Sequence, residues 1–170
     1  MEALAVALVA SGEAGLVRED VEIGRTPATI WRREGAENRP AVVIAHGFAG
    51  SRPLMRAFAA TLAQNGLVAV TFDFLGHGRH PDPLTGDVTA EEGAERNLVD
   101  QTAEVVAFAR RLEGSDGRVA LLGHSMAASV IVRAAIEDPA IATVVPVSMF
   151  ARHVTATEPR SMLVIVGEWE

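Results

Sequence analysis

Val119-Ala120-Leu121-Leu122-Gly123-His124-Ser125-Met126-Ala127 is the stretch whose reading settles the fold. Val119 to Leu122 is a short, uninterrupted apolar run, as a strand covered on both faces would be. From Ser125 to Glu137 the pattern is helical, ended by Pro139. A serine set in a sharp strand-to-helix turn projects its hydroxyl above the carboxyl edge of a sheet. Small residues two before and two after it, Gly123 and Ala127, let the two backbones approach closely. The turn also brings backbone N–H groups of the first helical turn near the hydroxyl, where they can stabilise an oxyanion. A plainer reading is open at this point: Ser125 could simply cap the helix.

The same alternation extends in both directions. Upstream, Leu16 to Ile23, Ala28 to Arg33 and Ala41 to Ala45 read as strands, the last without polar alternation and so central in a mostly parallel sheet. Leu54, Phe58 and Leu62 recur at helical spacing, predicting a helix over 53–65 with Ser51 as its cap and Gly66 at its end. Leu67 to Phe72 is a further strand, followed by Asp73 and a turn-rich segment to Gly86. Thr89 and Glu92 offer a capping box for a helix of about 20 residues carrying Ala94, Leu98, Val105, Phe108 and Leu112 on one face. Downstream, Thr143 to Val147 and Met162 to Val166 are strand candidates. Strand, helix and strand joined by short connections predict an α/β domain with helices on both faces of the sheet. At 170 residues the prior is a single domain, 1–170, with 1–15 a peripheral helix or frayed end.

His46-Gly47-Phe48 follows the central strand and precedes a helix, so the Phe48 N–H can face the same sheet edge as Ser125. With the Met126 N–H it would make a two-donor oxyanion hole. These motifs, together with Asp73-Phe74-Leu75-Gly76-His77-Gly78, resemble the alpha/beta-hydrolase superfamily from about Val21 to Glu170. The resemblance implies the three-layer fold of that superfamily, serine-esterase or lipase-like, and makes Ser125 the nucleophile with Phe48 and Met126 as oxyanion donors. It makes His46, Gly47, Gly76, His77, Gly78, Gly123, His124 and Ala127 structural parts of the motifs. Ala127 stands where glycine is commonest in the family.

The family's acid follows a late strand, and Met162 to Val166 with Gly167 resembles that segment, making Glu170 the acid and Glu168 the second candidate. The family's histidine base comes one strand later, beyond residue 170. The expectation is therefore a domain incomplete at its C-terminus, with the base outside it. His153 is kept as a substitute base of last resort. About fourteen residues separate Val147 from Met162, too few for a sizeable helical cap, so the pocket should be open, with Leu75, Met149 and Phe150 beside Phe48 and Met126 as apolar lining.

Composition bounds the alternatives. A net charge of −7 and no local basic patch oppose nucleic-acid binding. The absence of cysteine removes thiolate metal sites and Cys nucleophiles, and the five scattered histidines form no metal-binding pair on a helix. No glycine-rich nucleotide loop follows a strand. The expectation is no metal and no cofactor, with a small-molecule acyl substrate. Met1 to Ala10 lacks the basic start of a secretory signal, and no uncharged run is long enough to span a bilayer, so a cytoplasmic location is the expectation. Two functions result: a serine hydrolase working through an acyl-enzyme, or a non-catalytic binding module on the same scaffold.

Overall fold

The computed structural model describes residues 12–87, 92–148 and 161–167. Six strands, β1 (Leu16–Ile23), β2 (Thr26–Arg33), β3 (Arg39–Ala45), β4 (Val68–Phe72), β5 (Ser115–His124) and β6 (Ile141–Val147), form one sheet in the order β1-β2-β4-β3-β5-β6. The hairpin β1–β2 and the pair β2–β4 are antiparallel, and the remaining three pairings are parallel. Three helices cover it: α1 (Arg56–Gln64), α2 (Ala94–Arg111) and α3 (Met126–Glu137).

Three layers follow from the period of two along the central strand. Val43 and Ala45 of β3 point into a core built with Val70, Phe72 and Leu121, closed by α2 through Leu98 and Val105 and by α3 through Val130 and Ile131. Val42 and Ile44 point the other way, into a smaller core with Trp31, Ala69 and Leu122 that α1 closes through Ala59 and Ala63. Both faces of β3 are thus buried, which is why its sequence shows no polar alternation.

Several elements depart from the sequence expectation for identifiable reasons. The helix expected over 53–65 begins as a 3₁₀ turn at Arg52–Met55, and the Ser51 side chain makes no cap hydrogen bond. Asp73 replaces it, accepting the Arg52 N–H at 2.7 Å from the end of β4, a cap delivered across the sheet rather than along the chain. The long helix starts at Ala94 behind Gly93, again with no side-chain cap bond, and Thr89 of the expected capping box lies outside the described residues. β5 extends back to Ser115 because polar residues there still pair, Arg39 lying opposite Ser115. The expected strand Met162 to Val166 is reduced to two isolated parallel bridges, Val144 to Met162 and Val147 to Ile165. It nonetheless runs beside β6, with the Leu163 and Ile165 N–H groups donating to the Val144 and Pro146 carbonyls at 3.0 and 2.9 Å. Among the described residues no helix is long and apolar enough to cross a membrane.

Candidate active site

Ser125 is the residue between β5 and α3, and its backbone sits at φ 53, ψ −116. For a residue with a Cβ such a conformation costs about 1–3 kcal/mol and persists only where the surroundings impose it. Here they do. The Ser125 N–H donates to the Val147 carbonyl at 2.8 Å, and the Ser125 carbonyl accepts the Ala128 N–H at 2.9 Å. Gly123 lets the helix close down: a Cβ on it would lie 2.6 Å from the Ala127 carbonyl oxygen and 3.0 Å from Ile131 Cδ1. Ala127 is fully buried at that contact. The Ser125 side chain makes no cap hydrogen bond, so the reading of it as a plain helix cap loses its support.

The partner loop is set by sheet register. Ala45 of β3 lies opposite Gly123 of β5, so His46 and Gly47 continue alongside His124 and Ser125. Gly47 is needed at this approach, because a Cβ there would meet Ser125 Cβ at 3.1 Å and His124 Nδ1 at 3.0 Å. His46 is fully buried and uses both ring nitrogens. Its Nε2 accepts the Phe74 N–H at 3.1 Å, which leaves the proton on Nδ1 to be donated to the Gly47 carbonyl at 2.8 Å. The Gly50 N–H donates to the same carbonyl at 3.0 Å. With that carbonyl gripped from two sides, the Gly47–Phe48 peptide is held, and in a trans peptide its N–H points the opposite way. The Phe48 ring is mostly exposed and rests edge-on against His77, centroids 5.9 Å apart, while His77 in turn lies 5.3 Å from His46.

Burial holds the His46 imidazole below its usual range, the hydrogen bond to the Gly47 carbonyl opposing this only in part. The unfolded chain therefore takes up a proton near pH 6.5 that the folded chain resists. Stability is fully present above that pH and is lost as pH falls below it, with a slope approaching about 1.4 kcal/mol per pH unit. The urea midpoint is expected to drop between pH 7.5 and pH 5.5; an unchanged midpoint would contradict the neutral, doubly bonded imidazole.

The segment from Asp73 to Gly86, which reads in sequence as a loose turn, is tied into the sheet edge. Asp73 is buried, and its second oxygen accepts the Arg79 N–H at 3.0 Å. Gln101 on α2, a buried residue that no motif marks, donates to the Asp73 carbonyl and to Thr26 Oγ1 and accepts the Leu75 N–H at 3.0 Å. Only the polarity of Gln101 on a mostly apolar helix face could have signalled it. His80 is half-buried, its Nδ1 accepting the Asp82 N–H at 3.0 Å. His77 Nδ1 lies 2.8 Å from the Leu75 carbonyl.

Register thus brings together Ser125, Met126, His124, Gly47 and Phe48. Met126 is partly buried against the main core, and Leu75 packs against that core while lining a separate cleft with Thr26, His80 and Gln101. Gly76 and Gly78 both sit at positive φ in the Asp73 loop. The acid candidates Glu168 and Glu170, the lining candidates Met149 and Phe150, and His153 lie outside the described residues, as does the stretch 1–11. Ile165, two residues before the described segment ends at Gly167, lies beside Val147, which itself pairs with His124 next to Ser125. Among the described residues no group of three or more His, Asp and Glu side chains could hold a metal ion.

Solved structures share this fold. A hypothetical protein from Pseudomonas aeruginosa superposes with TM-score 0.67 at 18% identity, covering 81% of this chain and 44% of that one. Est1E from Butyrivibrio proteoclasticus, solved with ferulic acid, gives TM-score 0.62 at 23% identity over 76% of this chain and 52% of its own. The Pyrococcus furiosus esterase Pf2001 gives 0.61 at 23% identity over 78% and 52%. The chain therefore spans about half the length of these structures. Among curated proteins none matches the sequence. Residues 36–168, which include the β3 loop, the Asp73 loop, the elbow and the segment beside β6, match the hydrolase family described as serine aminopeptidase, S33. The chain belongs to that family, within the alpha/beta-hydrolase superfamily.

Proposed function

We propose that Ser125 is the nucleophile of a serine hydrolase acting on a small carboxylic ester or related acyl substrate. The observation that carries this reading is the backbone of Ser125, held at φ 53 at the end of β5 with its side chain making no cap hydrogen bond. A residue that served only to start a helix would have no use for that strain. In the proposed reaction Ser125 Oγ attacks the acyl carbon, and the Phe48 and Met126 N–H groups receive the charge on the carbonyl oxygen. A histidine outside the described residues, His153 or one beyond Glu170, takes the hydroxyl proton and returns it to the leaving alcohol. Glu170, or Glu168, orients that histidine. Water then attacks the acyl-enzyme by the reverse proton path and releases the carboxylic acid. His46, His77 and His80 are poor bases here because each already holds a backbone group of the surrounding loops. That the similar Pyrococcus furiosus protein is an esterase supports an ester substrate.

A gene product containing this chain and its base, mixed with 4-nitrophenyl acetate, is expected to release one equivalent of 4-nitrophenol per active site in a burst before steady turnover. Saturable ester binding without burst or turnover would instead favour a binding module on the same scaffold.

A further inference from the structure

We infer that the cleft on the α1 face of the sheet, over β1, β2 and β4, is a binding site for a small oxyanion, a carboxylate or phosphate group. The cleft has a volume of about 370 Å³ and is lined by Arg18, Arg52, Arg56 and Arg79 together with Asp20 and Asp73. Four arginines thus line one cleft on a chain whose net charge is −7.

Arg52 is the decisive residue. Its side chain is only 11% exposed, yet its guanidinium makes no hydrogen bond among the described residues. The nearest carboxylate oxygens, on Asp20 at 4.0 Å and Asp73 at 3.8 Å, are beyond hydrogen-bond reach. Both carboxylates are engaged elsewhere: Asp73 accepts the Arg52 and Arg79 N–H groups, and Asp20 accepts the Thr29 hydroxyl at 2.6 Å. A guanidinium carries five N–H donors, and carboxylate oxygens at 3.8–4.0 Å satisfy none of them at hydrogen-bond distance. The spacing of 3.8–4.0 Å leaves room for an acceptor to come in from the cleft.

The charge balance gives the ligand its sign. Arg18 pairs with Asp20 at 3.6 Å, Arg52 lies against Asp73, and Arg56 is bound side-on by Glu13. Arg79 is exposed and its guanidinium has no ion pair or hydrogen bond among the described residues, so its positive charge is left over. The Arg79 fork, together with the Arg52 fork whose ion pairs are too long for hydrogen bonds, matches the paired oxygens of a carboxylate or phosphate group. Trp31 forms part of the wall, with the Arg18 guanidinium 5.4 Å from its ring centroid, which gives the cleft its own optical reporter. The cleft lies over strands two and more away from the elbow on β5, and the inference does not depend on the chemistry of Ser125.

The chain has two tryptophans, so a Trp169→Phe background leaves Trp31 as its sole indole. Its fluorescence would be followed during titration with sodium phosphate or sodium acetate, against sodium chloride at matched ionic strength. The expected result is a saturable change with phosphate, acetate or both, and not with chloride; the preferred anion names the ligand class. Arg52→Gln and Arg79→Gln are each expected to weaken binding about tenfold or more. Arg79→Gln keeps the test valid if Arg52→Gln disturbs the fold, and Arg118→Gln, a mutation at an exposed site elsewhere, should bind as the parent does. Equal responses to all three salts, or undiminished affinity in Arg79→Gln, would overturn the assignment and leave the Arg52 donors to water.

Discussion

Replacing Ser125 with alanine is expected to lower kcat for acyl-ester hydrolysis by about 10⁴-fold or more while leaving stability within about 1 kcal/mol of the parent. The two halves of this expectation rest on different features of the same residue. The hydroxyl is the proposed attacking group, and without it the proposed oxyanion donors, the N–H groups of Phe48 and Met126, would only polarise the substrate for attack by water. The hydroxyl makes no cap hydrogen bond, so its removal leaves no buried partner stranded. Alanine retains the Cβ, and the strain at φ 53 is unchanged. Ser125→Gly separates the terms further. It should lose activity to the same degree yet gain about 1 kcal/mol of stability, because glycine meets no Cβ penalty at positive φ. Steady-state kinetics and urea denaturation of both variants check this; a loss of activity that tracked a loss of stability would contradict it.

Gly78→Ala is expected to destabilise the chain by about 2–4 kcal/mol. Gly78 sits at φ +57, and a Cβ there would fall 2.3–2.6 Å from all three atoms of the Asp73 carboxyl group. The carboxylate cannot move aside cheaply. It is buried and holds two backbone N–H groups, one at the start of the 3₁₀ turn before α1 and one in its own loop. Displacing it strands those donors and releases the loop on which His77 meets Phe48. Urea midpoints of Gly78→Ala and of Gly66→Ala make the comparison. Gly66 has a similar φ of +82 with open space around it, so its alanine variant reports backbone strain alone. Equal losses in the two variants would show that Asp73 is not the obstacle.

The alternation of apolar runs and helical spacings was enough to read the layered sheet, because β3, β4 and the part of β5 from Val119 onward are largely buried and their sequences carry that burial directly. The elbow was legible for a similar local reason: Gly123, Ser125 and Ala127 fall within five consecutive residues, and their spacing is itself the geometry. What sequence could not show depends on residues brought together from far apart. Asp73 caps a helix that starts 21 residues before it, where Ser51 looked sufficient from local spacing. Gln101 joins Thr26, Asp73 and Leu75 from the middle of a helix whose periodicity marks only its apolar face. The grip of His46 on the Gly47 carbonyl depends on its Nε2 being occupied by Phe74, 28 positions away. The arginine cleft is likewise assembled from β1, the turn before α1 and the Asp73 loop, so no sequence window contains it.

The central claim is that Ser125 is an activated nucleophile, and the most direct measurement is peptide mapping after exposure of the folded protein to a fluorophosphonate. The account predicts a single adduct on the peptide containing Ser125, absent from Ser125→Ala and from protein denatured before labelling, and formed far faster in a gene product that supplies the histidine base. An adduct that persists in Ser125→Ala, or labelling confined to another serine, would contradict it.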